Sequence, residues 1–340
     1  MKTEVTPKQL KQLLIDVILS KRVPYIEGQP GIAKSAIVKQ IADQYNLKLI
    51  DIRLSMADIT DFMGFPSIDH KTNRSTYNPP AIFPIETDKI PEGKEGWLLF
   101  FDEFPSAPIE IQATAYKIIL DRIVGMAPLH PNAVVVAAGN TTEDSAIVNE
   151  LSTAMQSRLI HFSLTVSLSD FIEWALESKL DYRVLAFIKY RPELLNNFNP
   201  DHSDKTFACP RTYEMLSDII KPMDIITPDK IPLIVGTIGT GAGYEFKAFI
   251  DVMNSLPTIE DILNRPASVS FSNEPSVLYS LSALIARNFK VETSDQLMIL
   301  INRLPMEFQA FILKDILGQD PKLSSCKAIN NWIDQNYTKF

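Results

Sequence analysis

The sequence predicts an α/β protein: a three-layer αβα core around a parallel five-stranded sheet, followed by two helical regions. Three observations predict it. Short apolar runs alternate with helical patterns as far as Leu164. Several of those runs are apolar throughout, as expected of parallel strands buried on both faces. After Ser167 strand signals become sparse and helical spacing takes over.

The first helix opens at Thr6-Pro7-Lys8-Gln9, which supplies a capping hydroxyl, a proline for the first turn and a glutamine three residues on. Leu10, Leu13, Leu14 and Val17 form its expected buried stripe. Strands are predicted at Val23 to Glu27, Lys48 to Leu54, Trp97 to Phe101, Ala133 to Ala138 and Leu159 to Leu164. After the first of these, Ile37, Val38, Ile41, Ala42 and Tyr45 recur at helical spacing and would lie on the sheet. The stretch from Ile59 to Pro91, with several prolines, Gly64 and the polar run Asp69 to Asn73, cannot be a plain crossover helix and reads as an inserted hairpin or long functional loop. Asp121 to Gly125 precedes another turn.

Beyond Ser167, Ser169 is placed to cap a helix from Phe171 to Leu176, and Val184 to Tyr190 continues at helical spacing. Pro210 begins a helix containing Tyr213, Leu216, Ile219 and Ile220. Ile231 to Met253 make one or two helices broken near Gly236 to Gly243, and four more patterns follow, at Ser276–Arg287, Ser294–Arg303, Met306–Leu317 and Cys326–Asn336. The expected organisation is a core over 1–165 with an inserted hairpin near 54–91, a helical region over 166–253 and another over 254–340.

Composition sets limits. At 340 residues the chain exceeds one comfortable core, and 46% hydrophobic with 22% charged residues describes an ordered globular chain. A net charge of -8 argues against gripping nucleic acid through an overall positive field. The longest apolar runs fall short of a membrane span, and Met1-Lys2-Thr3-Glu4 opens a polar segment, not a secretory signal, so a cytoplasmic protein is expected. Cys209 and Cys326 are too few and too far apart for a metal framework, and reduced thiols are expected. His70, His130, His161 and His202 show no ligand spacing and are read as solvated or locally hydrogen-bonded.

The chemistry is concentrated at strand ends. Residues 28–35 read G-Q-P-G-I-A-K-S directly after the apolar Val23 to Ile26. Gly28 and Gly31 let the chain turn so that successive N–H groups face inward, and the helix from about Lys34 aims its positive end at the same place. That is a cradle for a polyphosphate, with Gly28, Gln29, Pro30, Gly31, Ile32, Ala33, Lys34, Ser35 and Ala36 as its candidate residues. Pro30 has no N–H, so the donors run from Gly31 to Ser35. Lys34 would bridge the outer phosphates, and the Ser35 hydroxyl would hold Mg²⁺. The pattern expects glycine where Ala33 stands, and alanine is expected there only at negative φ.

Trp97 to Phe101 ends in Asp102-Glu103. Asp102 would join Ser35 beside the metal, and Glu103 would polarise the water that attacks the γ-phosphate. Paired acids after a strand also begin helices, so the pair gains its catalytic meaning from the loop. The run Ala133 to Gly139 stops at Asn140, placed to orient the lytic water or touch the γ-phosphate; an Asn after Gly is otherwise a turn former.

Together these motifs resemble the AAA+ superfamily, and within it the MoxR-like ATPases. The residues that carry the resemblance are Gly28 to Ser35, Leu54-Ser-Met-Ala-Asp-Ile-Thr-Asp-Phe-Met-Gly64, Phe101-Asp-Glu-Phe104, Ala137-Ala-Gly-Asn140, Ser157-Arg-Leu159 and Cys209-Pro-Arg-Thr212. The resemblance implies that Asn140 is the first sensor and Arg211 a second sensor on a helical lid over 166–253. It also implies that Arg158 is an arginine finger reaching a neighbour's nucleotide, that residues 54–91 are the branch's hairpin insertion, and that subunits form a ring, usually of six. A protein partner with a von Willebrand factor A-like domain is a further expectation of the resemblance. Arg122 rivals Arg158 for the intersubunit role, and each of Arg158 and Arg211 also has a plain structural reading.

The function expected from all this is Mg-dependent ATP hydrolysis driving chaperone-like remodelling or maturation of a protein. Two alternatives stand beside it: a nucleotide-gated scaffold with negligible turnover, and a nucleic-acid motor or loader. Nothing identifiable reads the base, so the choice of ATP over GTP stays open.

Overall fold

The computed structural model describes residues 4–141, 144, 149, 151–201 and 204–336; His202 and Met1 to Thr3, read above, lie outside the described residues. The chain divides into two compact units, Met1–Ser167 with Asn199–His202, and Leu168–Phe198 with Ser203–Phe340.

In chain order the first unit contains β1 (Glu4–Val5), α1 (Pro7–Leu19), β2 (Val23–Glu27), α2 (Lys34–Gln44), β3 (Leu47–Arg53), α3 (Ile59–Met63), β4 (Phe65–Asp69) and β5 (Arg74–Asn78). It continues with β6 (Gly96–Asp102), α4 (Ile109–Asp121), β7 (Ile123–Val124), β8 (Ala127–Pro128), β9 (Ala133–Gly139), α5 (Thr153–Gln156) and β10 (Leu159–Leu164). One parallel sheet runs β1-β10-β2-β9-β6-β3. Five of its strands are those read from the sequence. The sixth, β1, pairs Glu4 with Ser163 and Val5 with Leu164, and two residues are too few to carry a period.

Alternation along β6 sorts the two faces. Trp97, Leu99 and Phe101 pack with Phe62 of α3, with Ile111, Ala115, Ile118 and Ile119 of α4, and with Met155 of α5. Leu98 and Phe100 pack on the other side with Leu10 and Leu14 of α1 and Ile37, Val38, Ile41 and Ala42 of α2. The sheet is therefore the middle of three layers, which makes this unit an α/β core of the phosphate-loop type, followed by a helical region.

The capping box of α1 is formed: Gln9 N–H donates to Thr6 Oγ1 at 3.4 Å, and Thr6 N–H to Gln9 Oε1 at 3.0 Å. Its buried stripe is narrower than expected, because Leu13 is 37% exposed. Tyr45 is likewise 40% exposed, being the C-cap of α2 and past the face that meets the sheet. The insertion between β3 and β6 comprises α3, capped by Asp58, and the antiparallel hairpin β4–β5, in which Phe65 faces Asn78 and Asp69 faces Arg74.

The second unit contains α6 (Leu168–Glu177), α7 (Tyr182–Tyr190), α8 (Pro210–Ile220), α9 (Ile231–Ile238), α10 (Thr240–Asn254), α11 (Ile259–Asn264), α12 (Pro275–Asn288), α13 (Ser294–Ile301), α14 (Met306–Gln319) and α15 (Lys327–Asn336). Ser169 lies inside α6 and not at its cap, since the helix begins one residue before it. The break between α9 and α10 falls at Gly239. Aromatic contacts run from Phe187 to Phe246 and Phe249, from Tyr190 to Phe249 and Tyr279, and from Tyr279 to Phe308 and Phe311. A second cluster, including Ile262, Leu281, Ile285, Leu297, Ile312 and Trp332, gathers α11 to α15. Cys209 and Cys326 are both free and buried. Among the described residues no helix is long and apolar enough to cross a membrane.

Candidate functional site

Sheet order decides what can meet. Because β9 lies between β2 and β6, Asn140 leaves the sheet between the loop after β2 and the acids that end β6. This is the carboxyl edge of a parallel sheet, where α/β proteins place ligands.

In the loop itself Gly31 and Ala33 both have φ of 79°. The expectation of a negative φ at Ala33 is thus overturned: the residue sits in the left-handed region at the N-cap of α2, with no side-chain cap. An L-residue there costs about 1–2 kcal/mol, whereas glycine would raise unfolded-chain entropy by about 0.4–1 kcal/mol. Ala33→Gly should therefore stabilise the core by about 0.8 kcal/mol, the difference of the two midpoints, within a range of about 0–1.6 kcal/mol. A thermal melt checks it, and a lowered midpoint would count against the strain. Gly28 serves differently from the turn role expected of it. Its backbone φ is not positive, but a Cβ would lie 2.8 Å from Ile32 Cδ1 and 2.9 Å from the Leu164 carbonyl oxygen. Close packing on β10 is what requires glycine here. Ile32 buries its side chain in the α1–α2 face of the core and can offer only its backbone to a ligand.

Lys34, 8% exposed, donates from Nζ to the Gly28 carbonyl, to the Gln29 carbonyl at 2.8 Å and to Asn140 Oδ1 at 2.9 Å. Ser35 Oγ donates to Asp102 Oδ2 at 2.9 Å. Glu103 takes a left-handed φ of 57°, and its N–H donates to Asp102 Oδ1 at 2.8 Å. Its carboxylate accepts a hydrogen bond from Ser55 Oγ. Ser55 follows β3, and sequence reasoning quoted it only within a longer motif. Burial, reinforced by the charge of Asp102, pushes the Asp51 carboxyl above the usual carboxylate range, with Arg53 acting in the opposite sense.

The arginines separate clearly. Arg122 closes α4 with a φ of 57° and donates to the carbonyls of His130, at 3.2 Å, and Ala133. Desolvation pulls its pKa down. These bonds hold the start of β9 and give Arg122 a structural role within its own subunit. Arg122→Met should lower core stability by about 1–3 kcal/mol, since it strands two carbonyls, and chemical denaturation measures it. Arg158 is exposed, with Nη1 donating to the Ala154 carbonyl at 2.7 Å and its guanidinium 5.7 Å from the Tyr116 ring centroid. Arg211 belongs to the second unit, exposed in the first turn of α8.

The structure thus brings together Gly28, Gln29, Lys34, Ser35, Asp102 and Asn140, with Glu103 beside them. Asn149, which sequence reasoning missed, donates to the carbonyls of Pro105 and Ala107 just beyond Glu103. Nothing local in the sequence signals a contact of that kind.

No protein-family model matches the chain, and no curated protein matches it. Among solved structures it is similar to a "putative ATPase" from Cytophaga hutchinsonii at 16% identity, covering 91% of this chain and 80% of that one, with a TM-score of 0.36. It is also similar to a point mutant of RuvB from Thermotoga maritima at 14% identity, covering 90% of this chain and 81% of that one, with a TM-score of 0.35.

Proposed function

We propose that this protein is a Mg²⁺-dependent ATPase of the MoxR-like AAA+ kind, working as a ring, hexameric by that resemblance, to remodel or mature a protein partner. The observation that carries the reading is the convergence of Lys34, Ser35, Asp102 and Asn140 from three strand ends onto one point, through the 2.9 Å bonds Lys34 to Asn140 and Ser35 to Asp102.

The donor set fits a nucleotide–metal pair. Among the described residues no group of three or more His, Cys, Asp or Glu is placed to hold a metal ion alone. A Mg²⁺ bound with phosphates needs only a hydroxyl and one or two carboxylates, which Ser35 and Asp102 supply. When bound, the ion neutralises charge on the phosphate oxygens. The N–H groups of Gly31 to Ser35 bind the phosphates. Lys34 exchanges its backbone carbonyls for the outer phosphates. Glu103 accepts a proton from the attacking water, and Asn140 orients that water or the γ-phosphate. Arg211 acts as the second sensor on a lid over 166–253, adjoining a C-terminal region over 254–340. Arg158 is offered to the nucleotide of a neighbouring subunit, so turnover depends on assembly.

A protein partner is favoured over nucleic acid by the exposed apolar residues of the antiparallel hairpins β4–β5 and β7–β8. Phe65 is 70%, Ile68 61% and Met126 64% exposed. The net charge of -8 agrees. A partner with a von Willebrand factor A-like domain remains part of this proposal through the resemblance, and a cytoplasmic location as the expectation stated above.

The test is titration of the purified chain with a fluorescent ATP analogue and Mg²⁺, together with phosphate release. Saturable binding with turnover is expected. Binding without turnover in the assembled protein would leave the scaffold reading, and stimulation by DNA would favour the motor. No binding would remove the proposal.

A further inference from the structure

Two carbonyls of the loop that follows Glu103 are held from outside that loop. Within it, Ser106 N–H donates to the Glu103 carbonyl at 3.0 Å and Ala107 N–H to the Phe104 carbonyl at 3.3 Å. The carbonyls of Pro105 and Ala107 receive donors from two other places. Gln112 of α4, 7% exposed, donates Nε2 to Ala107 at 3.1 Å and to Pro105 at 3.4 Å. Asn149 donates its backbone N–H to Pro105 at 2.7 Å and its Nδ2 to Ala107 at 3.1 Å.

Gln112 and Asn149 are not equivalent. Gln112 stands three residues inside the helix that this loop leads into, so it braces the loop locally. Asn149 lies on the chain between Asn140 and Arg158. That chain also touches the loop at its start, since a Cβ at Gly139 would come within 2.2 Å of Pro105 Cδ. The Glu103 loop is therefore touched both at Gly139 and at Asn149. Soon afterwards Ser152 caps α5, which leads to Arg158.

We propose that Asn149 is a positioning residue that holds the loop carrying Glu103 and the segment leading to Arg158 in one frame. The inference rests on the ATPase reading above. Glu103 occupies a left-handed conformation, which persists only where its surroundings hold it. Fixing the next turn fixes the direction of its carboxylate. Through the same bond, a displacement of the Arg158 segment by a neighbouring subunit is felt at Glu103.

The test uses the full chain carrying Asn149→Ala or Asn149→Asp. In nucleotide-free protein, Asn149→Ala should speed amide exchange at Ser106 and Ala107 severalfold, with the thermal midpoint moved by no more than a few degrees, because one neutral hydrogen bond is lost. At saturating Mg-ATP, phosphate release should fall about tenfold while binding of a fluorescent ADP analogue stays within about twofold. At neutral pH Asn149→Asp has no side-chain proton to donate and should lose as much. Its turnover relative to the unaltered protein should recover as the pH falls and the carboxyl gains a proton, which a space-filling role would not produce.

Unchanged exchange and turnover in Asn149→Ala would overturn the inference, as would equal losses of binding and turnover. If the unaltered protein neither binds nor hydrolyses nucleotide, the ATPase reading fails instead, while the exchange measurement still reports whether Asn149 holds the loop.

Discussion

Glu103→Gln is expected to lower ATP turnover by roughly 10²–10³-fold while nucleotide affinity stays within about twofold. Gln keeps the shape of the side chain and can still accept the hydrogen bond that Ser55 Oγ gives to Glu103. It cannot take up a proton. The contacts assigned to the phosphates and metal belong to Lys34, Ser35 and Asp102, none of which the change touches. The backbone at Glu103 is left-handed with φ of 57°, a cost that Glu and Gln bear alike, so the fold should not distinguish them. Phosphate release and fluorescent-nucleotide titration on the same preparation separate the two quantities. Unchanged turnover would remove Glu103 from its role, and a parallel loss of binding would place it among the binding residues instead.

The parts of this arrangement that were legible in the sequence are those that rest on local pattern. The apolar runs of β2, β6 and β9 are buried on both faces, which is the condition that makes a strand readable without alternation. The loop from Gly28 to Ser35 and the acids at Asp102 and Glu103 announce themselves by spacing. What escaped depends on long-range closure. Ser55 meets Glu103 across 48 positions, and Asn149 meets Ala107 across 42, and neither residue belongs to a periodic pattern. Arg122 could not be told from Arg158 in sequence, because only the fold shows its guanidinium turned onto the carbonyls of His130 and Ala133. At Ala33 residue identity misleads about φ, because the tight loop between β2 and α2 imposes a left-handed conformation on alanine.

Lys189→Met should destabilise the helical unit by about 3–5 kcal/mol at neutral pH, the cost of leaving one member of a buried ion pair alone. Lys189 Nζ lies 2.5 Å from Asp315 Oδ1, with side-chain exposures of 7% and 12%, and 5.1 Å from the Phe311 ring centroid. Leu185, Tyr279 and Phe311 line the surrounding cavity. Burial pushes the Asp315 carboxyl above its ordinary range, and Lys189 is the main influence pulling it back. A raised carboxyl pKa contributes stability that is fully present below the unfolded value and is lost as pH rises through the folded value. Without Lys189 the folded value climbs further, so the deficit of the Met variant should be largest near neutrality and shrink on acidification as Asp315 takes up a proton. Urea unfolding at pH values of about 5 and about 7.5, chosen to bracket this range, reads the difference directly. Lys189→Met with Asp315→Leu should return stability to near that of the unaltered chain or above it, because the stranded charge is then gone. A deficit equal at both pH values, or a double variant no better than the single one, would show that packing and not charge governs this contact between α7 and α14.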